Sequence, residues 1–80
     1  MDFKTYLENK REMERQEAER AITHLGYQKG LAPSDVASMS SRELIPLVQY
    51  LKPTESWSNY RWSMMIKSMA REIAQGEQNA

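Results

Sequence analysis

Residues 2–25 contain neither proline nor glycine. They are dominated by Glu, Arg, Lys, Gln and Ala, all strong helix formers. A breaker-free stretch of this length admits one long helix and little else. Asp2 is placed to cap its start, and Gly26 stands where a terminal glycine would stop it. At about 100° per residue, Phe3, Leu7, Ala18, Ala21, Ile22 and Leu25 fall on one side, with Tyr6 and Met13 at its edge. Lys10, Glu14 and Glu17 interrupt the middle of that side. The pattern predicts a solvated helix with two apolar ends, docking by those ends onto the rest of the domain. A coiled coil needs sustained a/d heptads, and these lapse at mid-helix. Lys4–Glu8, Lys10–Glu14 and Arg15–Glu19 have the spacing of i,i+4 pairs, each adding roughly 0.2–0.5 kcal/mol.

The remaining chain punctuates itself clearly. Gly30 and Pro33 mark a connection in which Leu31 turns inward, and Pro33 suits the first turn of a short helix ending at Ser38. Ser40-Ser41-Arg42-Glu43 reads as a capping box for the next helix, which runs to about Leu51. Pro46 lies near that helix's start, where a missing N–H costs less. Leu44, Leu47, Val48 and Leu51 form its inward stripe, with Ile45 and Tyr50 outside it. Lys52-Pro53 ends it. Thr54 then caps a last helix from about Glu55 to Gln75, with Gly76 as its stop. The expected fold is all-α: a three- to four-helix domain over residues 1–75, its long first and last helices joined by a short helical hairpin. Residues 76–80 form a frayed tail. The helix-cap-helix wording of residues 32–44 is generic and names no lineage.

The last helix carries the functional signal. Trp62, Met65, Ile66, Met69 and Ile73 cluster on one face as a core stripe. On the opposite side of the same helix, a second face gathers Trp57, Tyr60 and Met64, interleaved with Arg61, Lys67 and Arg71. Trp, Tyr, Met and Arg are the residue types enriched at interface cores and hot spots. The competing structural reading packs Trp57 and Tyr60 against the first helix or the hairpin.

Composition narrows what such a face could bind. The 80 residues hold 11 basic and 11 acidic side chains, for a net charge of zero. Phosphate neutralisation dominates nucleic-acid affinity, so a neutral chain has little of that driving force. A protein partner uses the same aromatic and basic chemistry without net charge and is the favoured reading. A nucleic-acid accessory role through the same face is the alternative, and self-association through it is a third. Ser34–Leu51 has the outline of a helix-turn-helix. Its second helix opens with Glu43-Leu44-Ile45-Pro46, which offers no reader of base edges; only Arg42 and Gln49 could serve.

No sequence pattern points to catalysis or a cofactor. With no cysteine and one histidine, thiolate chemistry is excluded, and a His-based zinc site would need carboxylates or a second chain. His24 sits where a protonated imidazole favours a helix C-terminus. The carboxylates Glu8, Glu12, Glu14, Glu17 and Glu19 alternate with Arg and Lys, as on a solvated face. The three glycines are isolated, so no phosphate loop is written. The N-terminus has no apolar signal core and the longest apolar run, Leu44 to Val48, is interrupted by Pro46. The expectation is a small non-enzymatic cytosolic protein that acts as adaptor, regulator or inhibitor by binding another protein. Its contact residues would be Trp57, Tyr60, Arg61 and Met64, with Lys67 and Arg71 as a charged rim.

Overall fold

A computed structural model describes residues 2–79. Helix α1 spans Phe3–Lys29, α2 Pro33–Ser38, α3 Ser41–Val48 and α4 Asn59–Asn79, with a single 3₁₀ turn at Gln49–Leu51. No strand occurs among the described residues. The fold is all-α, with long first and last helices and two short ones between. No described helix is long and apolar enough to cross a membrane.

The start of α1 is as the sequence dictates. The Asp2 carboxylate accepts the Thr5 backbone N–H at 2.8 Å. Its end is not at Gly26. The helix continues to Lys29, and Gly30 takes the left-handed conformation (φ 67°), donating its N–H to the Gly26 carbonyl at 3.1 Å. Tyr27, Gln28 and Lys29 can all continue a helix, so the stop falls at the second glycine, which can adopt positive φ without a Cβ clash. Leu31 then turns inward and is half-buried against the core.

Both short helices open on local caps. The Ala32 N–H donates to the Asp35 carboxylate at 2.9 Å. At α3 the box closes in both directions: the Glu43 N–H donates to Ser40 Oγ at 3.1 Å, and the Ser40 N–H to Glu43 Oε1 at 3.3 Å. α3 gives way to the 3₁₀ turn after Val48, and the buried Trp62 indole donates to the Val48 carbonyl at 2.8 Å. That bond satisfies a carbonyl the helix end leaves free and an indole N–H that burial would otherwise strand.

The last helix begins later than the spacing suggests. The Ser56 N–H donates to the Thr54 hydroxyl in a local turn, and Ser58 is the cap, its Oγ accepting the Arg61 N–H at 3.0 Å. A helix begun at Glu55 would carry Trp57 roughly 140° around the axis from Trp62, away from the core. Left outside the helix, Trp57 reaches Trp62 with ring centroids 5.9 Å apart, and the Lys52 ammonium donates to the Trp57 carbonyl at 3.0 Å. Gly76 does not stop α4, which runs to Asn79; Ala80 lies outside the described residues.

The core sits where α4 meets the other three helices. Leu25, Ile22, Ala21 and Ala18 come from α1, Val36 from α2, Leu44 and Val48 from α3, and Trp62, Ile66, Met69 and Ala70 from α4. Only the C-terminal half of α1 contributes. At its other end Phe3, Tyr6 and Met13 are exposed, so α1 docks by one end and not by both. At 27 residues, α1 is about 40 Å long. That matches the longest extent of the molecule, 41 Å. The radius of gyration, 13.1 Å, exceeds the roughly 12 Å of a compact 80-residue globule, as a projecting helix requires.

The charged middle of α1 pairs mainly across the fold. Of the i,i+4 pairs expected, none forms; Arg15 meets Glu72 at 3.1 Å and Glu14 meets Arg61 at 3.4 Å, both on α4. Glu17 pairs with Arg20 at i,i+3.

Candidate interaction surface

The outward face of α4 is built by its start point and its period. Tyr60, Met64, Lys67 and Arg71 recur at steps of four, three and four residues, which confines them to an arc of about 60° on the helix. The buried residues Trp62, Ile66, Met69 and Ala70 occupy the other side. Tyr60 is 62% exposed and Met64 42%. Arg71 is exposed and Lys67 half-exposed. The Ser41 hydroxyl donates to Met64 Sδ at 3.3 Å, so the start of α3 borders the strip, and the exposed Arg42 follows it in the chain. The three ion pairs found among the described residues include neither Lys67 nor Arg71.

Two of the six residues expected here lie off this strip and make contacts within the fold. Trp57 is not on α4; it is half-buried, packed on the core against Trp62. Arg61 lies over the Trp57 ring at 5.0 Å from its centroid and reaches Glu14. A guanidinium held between an aromatic face and a carboxylate ties the 52–58 connection to α1. Trp57 and Arg61 therefore make contacts within the fold, and the strip along α4 itself consists of Tyr60, Met64, Lys67 and Arg71.

The histidine also has a structural neighbour. His24 is half-buried and its Nε2 lies 3.4 Å from the Tyr50 hydroxyl, with the rings edge to face at 6.1 Å. A cleft of about 330 Å³ between α1 and α4, walled by Arg11, Glu14, Met65 and Met69, is bridged at its rim by Arg15 and Glu72. Glu43, the residue that spoils a helix-turn-helix reading, is occupied in the α3 cap.

The sequence pattern did not single out the free end of α1. Phe3 is 74% exposed, Met13 67% and Tyr6 52%. Their spacing marked Phe3 as docked and the other two as edge residues, and no local signal separates an apolar end that finds a partner from one that does not. Compared with family models, curated proteins and solved structures, the chain matches none.

Proposed function

We propose that this chain is a non-enzymatic protein-binding module that acts as an adaptor, regulator or inhibitor of a larger cytosolic protein machine. Its contact surface is the outward strip of α4. The observation that carries the reading is the alignment of Tyr60 and Met64, both exposed, with Lys67 and Arg71, neither of which takes part in the three ion pairs found among the described residues. An aromatic ring supplies contact area with few torsions to freeze, a flexible thioether adapts to the partner's shape, and the two cations supply orientation and on-rate. The opposite face of the helix is locked in the core, so the strip is presented rigidly and loses little freedom on binding.

The test is affinity capture with the tagged protein beside a Tyr60→Ala/Met64→Ala variant, washed in nuclease-treated and high-salt arms. The proposal expects a protein retained through both washes and lost from the variant, whose thermal melt matches the parent. Retention unchanged in the variant would overturn it. Nucleic acid recovered in place of protein, and lost steeply with salt, would establish the alternative, with Lys67 and Arg71 as phosphate contacts.

A further inference from the structure

The two long helices balance their cations differently. On α1, each cation from Lys4 to Arg20 has an acidic residue three or four positions away: Glu8 for Lys4, Glu14 for Lys10 and Arg11, Glu19 for Arg15 and Glu17 for Arg20. On α4, Lys67 and Arg71 have no acidic residue at that spacing. They are instead each other's i,i+4 neighbours, a like-charge pair that disfavours the helix. The two acidic residues of α4 point away: Glu72 lies about 100° around the axis from Arg71 and is bonded to Arg15, and Glu77 lies about 120° around it. At the border of the strip, the Glu43 carboxylate is taken up in the α3 cap. The exposed arc that runs through Tyr60, Met64, Lys67 and Arg71 thus carries positive charge and no acidic residue of its own.

We propose that this strip is covered by an acidic amphipathic helix of a separate protein, with two apolar side chains over Tyr60 and Met64 and two carboxylates over Lys67 and Arg71. This rests on the reading of the strip as a contact surface and adds the chemistry of what it contacts. The charge asks for an anionic occupant. The geometry asks for a helix. Steps of four, three and four residues are the spacing of a heptad seam, along which a second helix lies at a crossing angle of about 20°. The seam is about 16 Å long, three turns of a facing helix. The backbone groups along the strip are already paired within α4, so an extended segment laid on it finds no ladder partners, whereas a helix brings its own hydrogen bonds. A nucleic-acid strand would gain from only these two cations and the neighbouring Arg42, few for a term that scales with the phosphates neutralised. A second copy is a poor complement. The exposed acids on the outer side of α1, Glu8, Glu12 and Glu19, each have a cation three or four residues away on their own helix, so that side offers no unbalanced negative strip.

The probe is a displayed library of helical peptides of about 20 residues, long enough to hold a helix in isolation. Four positions of one heptad seam are randomised in a neutral Ala/Gln background, and selection is on the immobilised full chain. The selected peptides should carry Asp or Glu at the two seam positions nearest one end and apolar residues at the other two. Their affinity, read by fluorescence polarisation, should fall about tenfold or more in Lys67→Glu/Arg71→Glu. Selection on that variant should return Lys or Arg where the parent returned Asp or Glu. Both positions lie outside the core, and circular dichroism and a thermal melt check the fold; the neutral Lys67→Gln/Arg71→Gln should show the same loss to a smaller degree. A proline at the centre of a selected peptide should abolish binding. Peptides that are lost from Tyr60→Ala/Met64→Ala but show no acidic preference, or that tolerate the proline, would keep the strip as a contact surface and overturn the acidic helix. Peptides indifferent to both variants, or no binders at all, would overturn the contact surface as well. Sedimentation of the chain alone that reveals a dimer broken by Lys67→Glu/Arg71→Glu would make the occupant a second copy and overturn the separate partner.

Discussion

The two ends of α1 differ more than their sequences do. The C-terminal end sets Ala18, Ala21, Ile22 and Leu25 on one face, and every one is buried. The N-terminal end sets Phe3, Tyr6 and Leu7 on nearly the same face, with larger apolar side chains, and Phe3 and Tyr6 are exposed. Periodicity marks the face a helix can bury. Burial itself depends on whether another element lies within reach. α4 covers α1 only alongside its second half, because the 52–58 connection and the late start at Asn59 place its first turn opposite Glu14. The difference teaches that an apolar stripe is a capacity, and that the neighbouring chain decides whether the capacity is used.

The sharpest way to break that comparison is to remove one apolar side chain from each end. Leu25 is fully buried, and Leu25→Ala is expected to cost about 2–5 kcal/mol. That is a large share of the stability of an 80-residue domain. Phe3→Ala, in dilute solution, is expected to change stability by less than about 0.5 kcal/mol. Urea denaturation of both variants checks the contrast, and equal losses would mean that the N-terminal half docks in solution.

The same contrast is repeated on a smaller scale at Trp57 and Tyr60. Trp57→Ala removes a half-buried ring, its stacking on Trp62 and the seat of Arg61, and should cost about 1–3 kcal/mol in urea denaturation. Tyr60→Ala should fall within about 0.5 kcal/mol. A Trp57→Ala variant as stable as the parent would return that ring to the binding surface.

The two glycines that could have ended α1 sharpen the account of where the buried half stops. Gly30 has positive φ, so Gly30→Ala should destabilise by about 1 kcal/mol or more. Gly26 is inside the helix, and a Cβ there would meet only the Leu31 carbonyl oxygen at 3.7 Å, an ordinary contact. Gly26→Ala should therefore stabilise by about 0.5–1 kcal/mol. Thermal melts of the two variants should move in opposite directions.

The smallest effect belongs to the exposed end. The Thr5 backbone N–H, and then the Thr5 side chain, hold the Asp2 carboxyl below its ordinary range. A depressed value in the folded state means that the ionised cap favours the helix. Its contribution is complete above the usual carboxylate range and is lost as pH falls through the lowered value. Thr5 amide protection, followed by hydrogen exchange against pH, should drop over that acidic window and be independent of pH across it in Asp2→Ala. Protection at Leu25 should not follow it.

Much of this architecture is legible without coordinates, and the reason is that its signals are local. Asp2 and the Ser40–Glu43 box act on backbone groups three residues away, Pro33 fixes its own φ in the first turn of α2, and each works as its chemistry requires. The core stripe of α4 and the inward residues of α3 follow from period and polarity alone. The helix ends chosen between rival signals were not legible: Gly26 against Gly30, Thr54 against Ser58. A cap contributes about 1 kcal/mol, while seating Trp57 on Trp62 contributes more, so packing outvotes the nearer cap. The candidate strip shows the same division. Tyr60, Met64, Lys67 and Arg71 follow from helical spacing, whereas the removal of Trp57 and Arg61 from it depends on contacts with Trp62 and Glu14. By itself the sequence determined that the chain is helical, where three of its helices begin and which faces can be buried, because those depend on interactions along the chain. Which apolar face is covered, which ion pairs close and which aromatic rings remain free were decided only by the tertiary structure, because each depends on a partner distant in sequence whose approach no local interaction specifies.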